Sequence, residues 1–385
     1  VIGPSVLNSE DQVEIEATTL SGIPIRNVWH MLLYAWGEAA AVERWQREAE
    51  AAPSFDALLA SVLVRLVEQR LRVGLGRGYE VEAASIHGVR GRVDFAHSLK
   101  TLEFERGKAY CRFHAFTADI SRNQTIRAVL DRLAKAGEFG PSMGHAAALR
   151  QRLRRLVRDL NEITPISPRP GMAARETPGR NGGDYRLMLA ICELVLRRQM
   201  PTEEGEAGSL GINRDNLTLH AVFERFVATF LRARLSGWHV QPQKVLAWPT
   251  SGTPPLLPTM QADLVLQEVS TGRIVVLDTK FTAASLVANR FGKHKFDSSH
   301  LYQIYAYLRS QEEFSAAHRY ATGILLYPAA AWHLSERMEV QGHLIQVETV
   351  DLTRPWPEVE KRLLAVVRDE DAGLERRPNS TGQVA

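Results

Sequence analysis

Asp263, Asp278 and Lys280 are spaced Asp-x14-Asp-x-Lys, with Asp263 inside the apolar stretch Ala262 to Leu266 and Asp278 directly after Ile274 to Leu277. Two carboxylates so placed can share a hard divalent cation, Mg²⁺ or Mn²⁺ in its place. Such an ion takes oxygen ligands, keeps several waters and leaves room for a substrate phosphate. A lysine beside them would orient or help deprotonate an attacking water and offset charge developing on the phosphate. The chemistry is metal-assisted hydrolysis of a phosphodiester. Taken alone the spacing is weak, because charged residues at strand ends usually just face water.

The elements around these residues strengthen it. Met260 to Phe281 reads as a hairpin around the turn Ser270-Thr271-Gly272. Strand alternation puts Asp278 and Lys280 on one side and Thr279 on the other. Upstream, Val222, Phe223, Phe226, Val227, Phe230 and Leu231 recur at helical spacing, and Glu224 flanks that stripe. There it offers a third acid, or a ligand for a second ion; the alternative is a solvated residue paired with an arginine along the helix. Downstream, a helix capped by Asp297 or Ser298 puts His300, Gln303 and Tyr307 on one face. Gln303 and Tyr307 would hold a nucleic-acid backbone or order Lys280, unless they form an ordinary polar face. Between hairpin and helix, Arg290, Lys293, His294 and Lys295 form a basic cluster suited to DNA phosphates, although such runs are usually solvated.

A chain of 385 residues exceeds one usual domain. Its net charge of only +3 excludes a DNA-coating protein. Cys111 and Cys192, far apart, give no disulfide or metal framework and suit a reducing compartment. No apolar run approaches the ~20 residues of a membrane span, so a soluble, cytoplasmic protein is expected. No Gly-x4-Gly-Lys-Ser/Thr loop occurs, which places any nucleotide hydrolysis in another chain. Helices are expected from Ile25 to Glu38 and Phe55 to Val73, then short strands at 79–85, 91–95 and 108–116. Two more helices follow, 122–135 and an arginine-rich one at 143–163 carrying Arg150, Arg152, Arg154, Arg155 and Arg158. A Pro/Gly-rich stretch at 167–183 marks the expected domain boundary. Helix 185–198 should pack under the hairpin's sheet, strands follow at 321–327 and 344–351, and a closing helix at 356–367. The expected divisions are residues 1–166, a linker at 167–183, 184–369, and a disordered tail at 370–385. Trp29 and Trp36 are expected in a core, and Arg26 and Asn27 to cap or pair locally.

The order of helix, acid-bearing hairpin, Asp-x-Lys and Gln-x3-Tyr helix resembles the PD-(D/E)xK nuclease superfamily, the Gln303–Tyr307 element being similar to its RecB-like branch. Ala262 stands where the superfamily's leading proline precedes the acid. Ile23-Pro24-Ile25-Arg26-Asn27-Val28-Trp29-His30-Met31-Leu32-Leu33-Tyr34-Ala35-Trp36 resembles the N-terminal signature of McrC, the nuclease subunit of methylation-dependent McrBC restriction systems. Gly91-Arg92-Val93-Asp94-Phe95, Asp119 with Arg122 and Asn123, and Phe223-Glu224-Arg225-Phe226-Val227 follow in the family's order, although Gln124-Thr125 replaces a more apolar pair. The resemblance implies an α/β chain, α+β overall: a PD-(D/E)xK restriction-endonuclease-like core with a mixed sheet flanked by helices, after an N-terminal α+β partner-docking domain. It also implies double-stranded DNA as substrate and a McrB-like hexameric AAA+ GTPase as partner. Arg26 as a GTPase-activating finger is an idea the resemblance alone raises. Two cysteines are too few for the iron-sulfur cluster of some RecB-like nucleases. A stand-alone RecB-like repair nuclease and a non-catalytic adaptor of a motor are the competing readings.

Overall fold

Helix α1 (Ile25–Ala35) buries every residue except Arg26, and a helix apolar on all sides has to lie inside a core. In the computed structural model, which describes residues 19–20, 22–176, 183–199, 210–250, 252, 256–280, 286–288, 294–329 and 333–369, that core belongs to the C-terminal part of the chain. Val1–Glu50 and Glu206–Ala385 form one unit and Ala51–Gly205 the other.

The Ala51–Gly205 unit begins with α2 (Phe55–Val73), capped by Ser54, whose hydroxyl accepts from the Ala57 amide at 3.1 Å. Strands β1 (Gly78–His87), β2 (Arg92–Val93) and β3 (Lys108–Thr117) form a small antiparallel sheet with β3 in the middle. Cys111 and Phe113 bury one side of β3, while Tyr79, Val81 and Phe116 stand exposed, the rings of Tyr79 and Phe116 5.1 Å apart. Helices α3 (Ser121–Ala136), α4 (Met143–Asp159) and α5 (Gly183–Gln199) complete the unit. Asn123 ties it together: its Nδ2 donates to the Gly76 and Ala118 carbonyls at 2.9 and 2.7 Å, and its Oδ1 accepts from the Tyr185 hydroxyl at 2.8 Å. On α4, Arg152 pairs with Glu68 at 2.9 Å, Arg155 approaches Asp159 at 3.8 Å, and Arg150 donates to the Gly137 carbonyl at 3.0 Å. These arginines are engaged within their own unit.

Two expectations are corrected here. Residues 167–183 do not divide the units, and α5 packs on α2 and α3 instead of under the C-terminal sheet. The reason is its wide apolar face: Leu187, Met188, Ile191, Cys192 and Val195 are all buried, and a Pro/Gly loop is as good a connector within a domain as between domains. Asn27 does not pair locally either. Its Nδ2 donates to the carbonyls of Leu352 and Arg354 at 2.7 and 2.8 Å, stapling α1 to the C-terminal sheet.

Within the other unit, α6 (Leu210–Arg234) buries Phe223, Phe226 and Phe230 completely. Tyr34 of α1 meets the last two edge-on at 5.7 and 5.5 Å. A six-stranded mixed sheet follows from β4 (Trp238–Leu246), β5 (Met260–Glu268), β6 (Ile274–Thr279), β7 (Thr322–Ala329), β8 (Ser335–Val340) and β9 (His343–Asp351), in spatial order β8-β9-β7-β6-β5-β4. The central strands β6, β7 and β9 run parallel, and β5, β4 and β8 are antiparallel to their neighbours. Helix α7 (Ser298–Ser310) lies on β7 and β6, and α8 (Trp356–Arg368) packs on β9 and α6. Gly323 lets α7 approach β7: a Cβ there would stand 2.8 Å from Ile304 Cγ1. Among the described residues no helix is long and apolar enough to cross a membrane.

Candidate active site

Lys280 leaves the end of β6 with its amide still bonded to the Leu326 carbonyl of β7 at 2.9 Å, so its backbone is held by the sheet. Its Nζ lies 2.6 Å from Asp278 Oδ2, and the Asp278 side chain is only 2% exposed. The same ammonium donates to Gln303 Oε1 at 2.7 Å. Gln303 Nε2 in turn donates to the Tyr307 hydroxyl at 2.7 Å, and that hydroxyl to the Gln261 carbonyl of β5 at 2.6 Å. The i, i+4 spacing on α7 makes this relay possible. Asp297 caps the helix, accepting from the Ser299 amide and hydroxyl at 2.8 and 2.6 Å. Gln303 and Tyr307 therefore lie in one chain of contacts with Lys280. His300 faces elsewhere, its Nδ1 2.8 Å from the Tyr327 hydroxyl.

Asp263 is held by Thr279, whose amide and hydroxyl donate to its Oδ2 at 2.8 and 2.7 Å. Thr279 was expected to turn away from the acids. Ala262 and Val265, three residues apart, both pack on one core, while β5 keeps one register with β4 on either side of Asp263; Thr279, the last residue of β6, reaches Asp263 from the strand end. Glu224 of α6 accepts from the Gln243 side chain of β4. The structure thus places Glu224, Asp263, Asp278, Lys280, Gln303 and Tyr307 in one region, and adds Thr279, Gln243 and Gln261, which sequence reasoning passed over. Arg290 and Lys293 lie outside the described residues. Lys295 is on the short strand His294–Phe296, paired with Leu286–Ala288, and its side chain is outside the description.

The acids feel one another. Burial, followed by the charges of Asp263 and Asp278, pushes Glu224 up to about 7. Burial, followed by the charge of Asp263, pushes Asp278 up to about 6 against the pull of Lys280. Both shifts are upward, so between the ordinary carboxylate range near about 4 and about 7 the folded chain binds more protons than the unfolded one. Stability contributed by these groups is then present at low pH and falls as pH rises through that window. Urea unfolding of the metal-free protein should show this decline, and Glu224→Gln with Asp278→Asn should flatten it.

Whether the residues fit a divalent cation rests on the same geometry. Asp278 Oδ2 is buried beside the Lys280 ammonium at 2.6 Å and makes no further hydrogen bond. Excess negative charge among three carboxylates is what a divalent ion relieves. Among the described residues no three acid, imidazole or thiol groups converge as a ready-made ligand shell. A Mg²⁺ site needs only one or two carboxylates, with waters and substrate phosphates completing it. Asp263 and Asp278 fit that role.

The fold and these side chains define an α+β protein whose C-terminal mixed sheet and flanking helices gather carboxylates, a lysine and a Gln–Tyr relay from adjoining strands and helices. The chain belongs to the family of McrBC 5-methylcytosine restriction system components, which it matches over residues 2–328. It is similar to the type IV methyl-directed restriction enzyme EcoKMcrBC of Escherichia coli (strain K12), with 26% identity over 349 residues, 89% of this chain and 97% of that protein. Its fold is also similar to a chain in the refined half-complex from the tetradecameric assembly of Thermococcus gammatolerans McrB AAA+ hexamers with bound McrC. There the TM-score is 0.54 at 17% identity, covering 94% of this chain and 78% of that one.

Proposed function

We propose that this chain is the McrC-like, DNA-cutting subunit of a McrBC-type restriction complex, a PD-(D/E)xK nuclease that hydrolyses phosphodiesters of modified double-stranded DNA with Mg²⁺. The observation that carries this reading is the Asp278–Lys280–Gln303–Tyr307 relay beside Asp263 and Glu224. Asp263 and Asp278 hold the ion, with Glu224 as a further acid, and the ion supplies electrophilic stabilisation of the phosphate and a more acidic water. Lys280, fixed by Gln303 and Tyr307, orients the attacking water and offsets charge on the phosphate. Thr279 keeps Asp263 in place by donating two hydrogen bonds to one of its oxygens. Arg290, Lys293 and Lys295 follow β6 in sequence and are assigned to the DNA backbone.

The partner is a McrB-like hexameric AAA+ GTPase. Support comes from the family match, from the AAA+ hexamers of the similar assembly, and from the lack of a P-loop in this sequence. We assign docking to the N-terminal half, where Tyr79, Val81 and Phe116 expose an apolar surface suited to a protein partner. The test is Mg²⁺-dependent cleavage of methylated DNA by the chain assembled with its GTPase, and abolition of that cleavage by a chelator.

A further inference from the structure

A continuous belt of polar contacts joins the two ends of the site. From Asp278 it runs through Lys280, Gln303 and Tyr307 to the carbonyl of Gln261. Gln261 Nε2 then donates to the carbonyl of Gln243 at 3.1 Å, and Gln243 Nε2 donates to Glu224. Gln243 is where the backbone of this belt is strained. Its φ is +50°, in the left-handed region that costs free energy for a residue bearing a Cβ. In β4 it falls between Pro242, paired with Leu264, and Lys244, paired with Ala262, which sets it across from Asp263.

Glycine or asparagine would occupy this conformation more easily. The position instead carries a long amide that reaches Glu224 on another element. A strained residue persists where its surroundings or its task over-determine it, and here the task is visible in the bond it makes. We propose that Gln243 is a positioning residue: the left-handed backbone aims its side-chain amide at Glu224 and fixes that carboxylate relative to Asp263 for a divalent cation. Gln261 supports it from β5 by fixing its carbonyl. This assignment rests on the reading of the site as metal-dependent.

The test uses the full chain, with Mn²⁺ binding followed by calorimetry and unfolding temperature measured without metal. Q243G relieves the strain and removes the amide; Q243N tolerates the same φ but is too short to reach Glu224. Both should unfold at or above the temperature of the parent and bind Mn²⁺ about tenfold more weakly, the loss typical of removing a group that orients a metal ligand. A merely structural glutamine would instead lower the unfolding temperature and leave the affinity unchanged, and that result overturns the assignment. Unchanged affinity in both variants overturns it as well. A parent chain that takes up no Mn²⁺ overturns the metal-dependent reading together with this one, whereas a parent that binds the ion while D278N does not isolates any failure to Gln243.

Discussion

Lys280→Met and Asp278→Asn are each expected to lower DNA cleavage by the assembled complex by about a hundred- to a thousandfold, the size expected when a preorganised charge at the reacting phosphate is removed. Their effects on folding should differ. Asp278 is buried, and burial holds its carboxyl above the ordinary range, so the neutral amide of Asp278→Asn should cost the metal-free protein no stability at pH 8. Lys280→Met strands the Asp278 carboxylate without its 2.6 Å ammonium partner and should destabilise the unit. Adding Asp278→Asn to Lys280→Met should restore stability without restoring cleavage. Urea unfolding and a cleavage assay on the same preparations separate the two effects.

Arg362→Met is expected to be the most damaging of the substitutions considered for stability, at about 3–5 kcal/mol, since it leaves a buried charge unpaired. Glu348 sits in β9 with its side chain 3% exposed, and Arg362 of α8 reaches its Oε2 at 2.6 Å. Ser335 of β8 donates to its other oxygen at 3.1 Å. Burial pushes the Glu348 carboxyl up, and Arg362 is the leading force holding it down. Removing the guanidinium raises the folded-state value further, so the lost stability is felt above that value and shrinks as pH falls and Glu348 takes a proton. Unfolding at pH 8 and pH 5 should show the larger deficit at pH 8. Glu348→Gln added to Arg362→Met should recover most of it, because no buried charge then remains.

The site was legible in the sequence where one element carries the whole pattern. Asp278 and Lys280 are two apart at a strand end, and Gln303 and Tyr307 are four apart on a helix, so local periodicity already places each pair. What escaped depends on neighbours brought in by the fold. Thr279 meets Asp263 only once β5 and β6 are paired, and nothing in the run from Met260 to Glu268 announces that contact. Gln243 has no local mark of its positive φ, and its relation to Glu224 exists only once β4 and α6 are packed. The edge strands β4 and β8 were missed altogether. Their residues are largely polar or exposed and β4 contains Pro242, so neither carries the apolar run of an inner strand.

The division of the chain was misread for a related reason. Composition marks loops, and the Pro/Gly-rich stretch at 167–183 is a loop, but domain membership follows the burial of apolar faces. Helix α1, nearly 200 residues ahead of α6 in sequence, completes the aromatic core of the C-terminal unit through Tyr34 and Asn27. Of the two aromatics expected in a core, Trp29 is fully buried, whereas Trp36, the C-cap of α1, is only half-buried and meets it edge-on at 5.9 Å.

Cleavage of methylated double-stranded DNA by the chain assembled with its AAA+ GTPase, with Mg²⁺ and GTP present, tests the central claim most directly. Double-strand breaks that appear with the complete mixture, vanish on chelation and are absent from a complex assembled with Lys280→Met are the predicted result. Equal, metal-dependent cutting by the Lys280→Met complex, or no cutting by a fully assembled native complex, would contradict it.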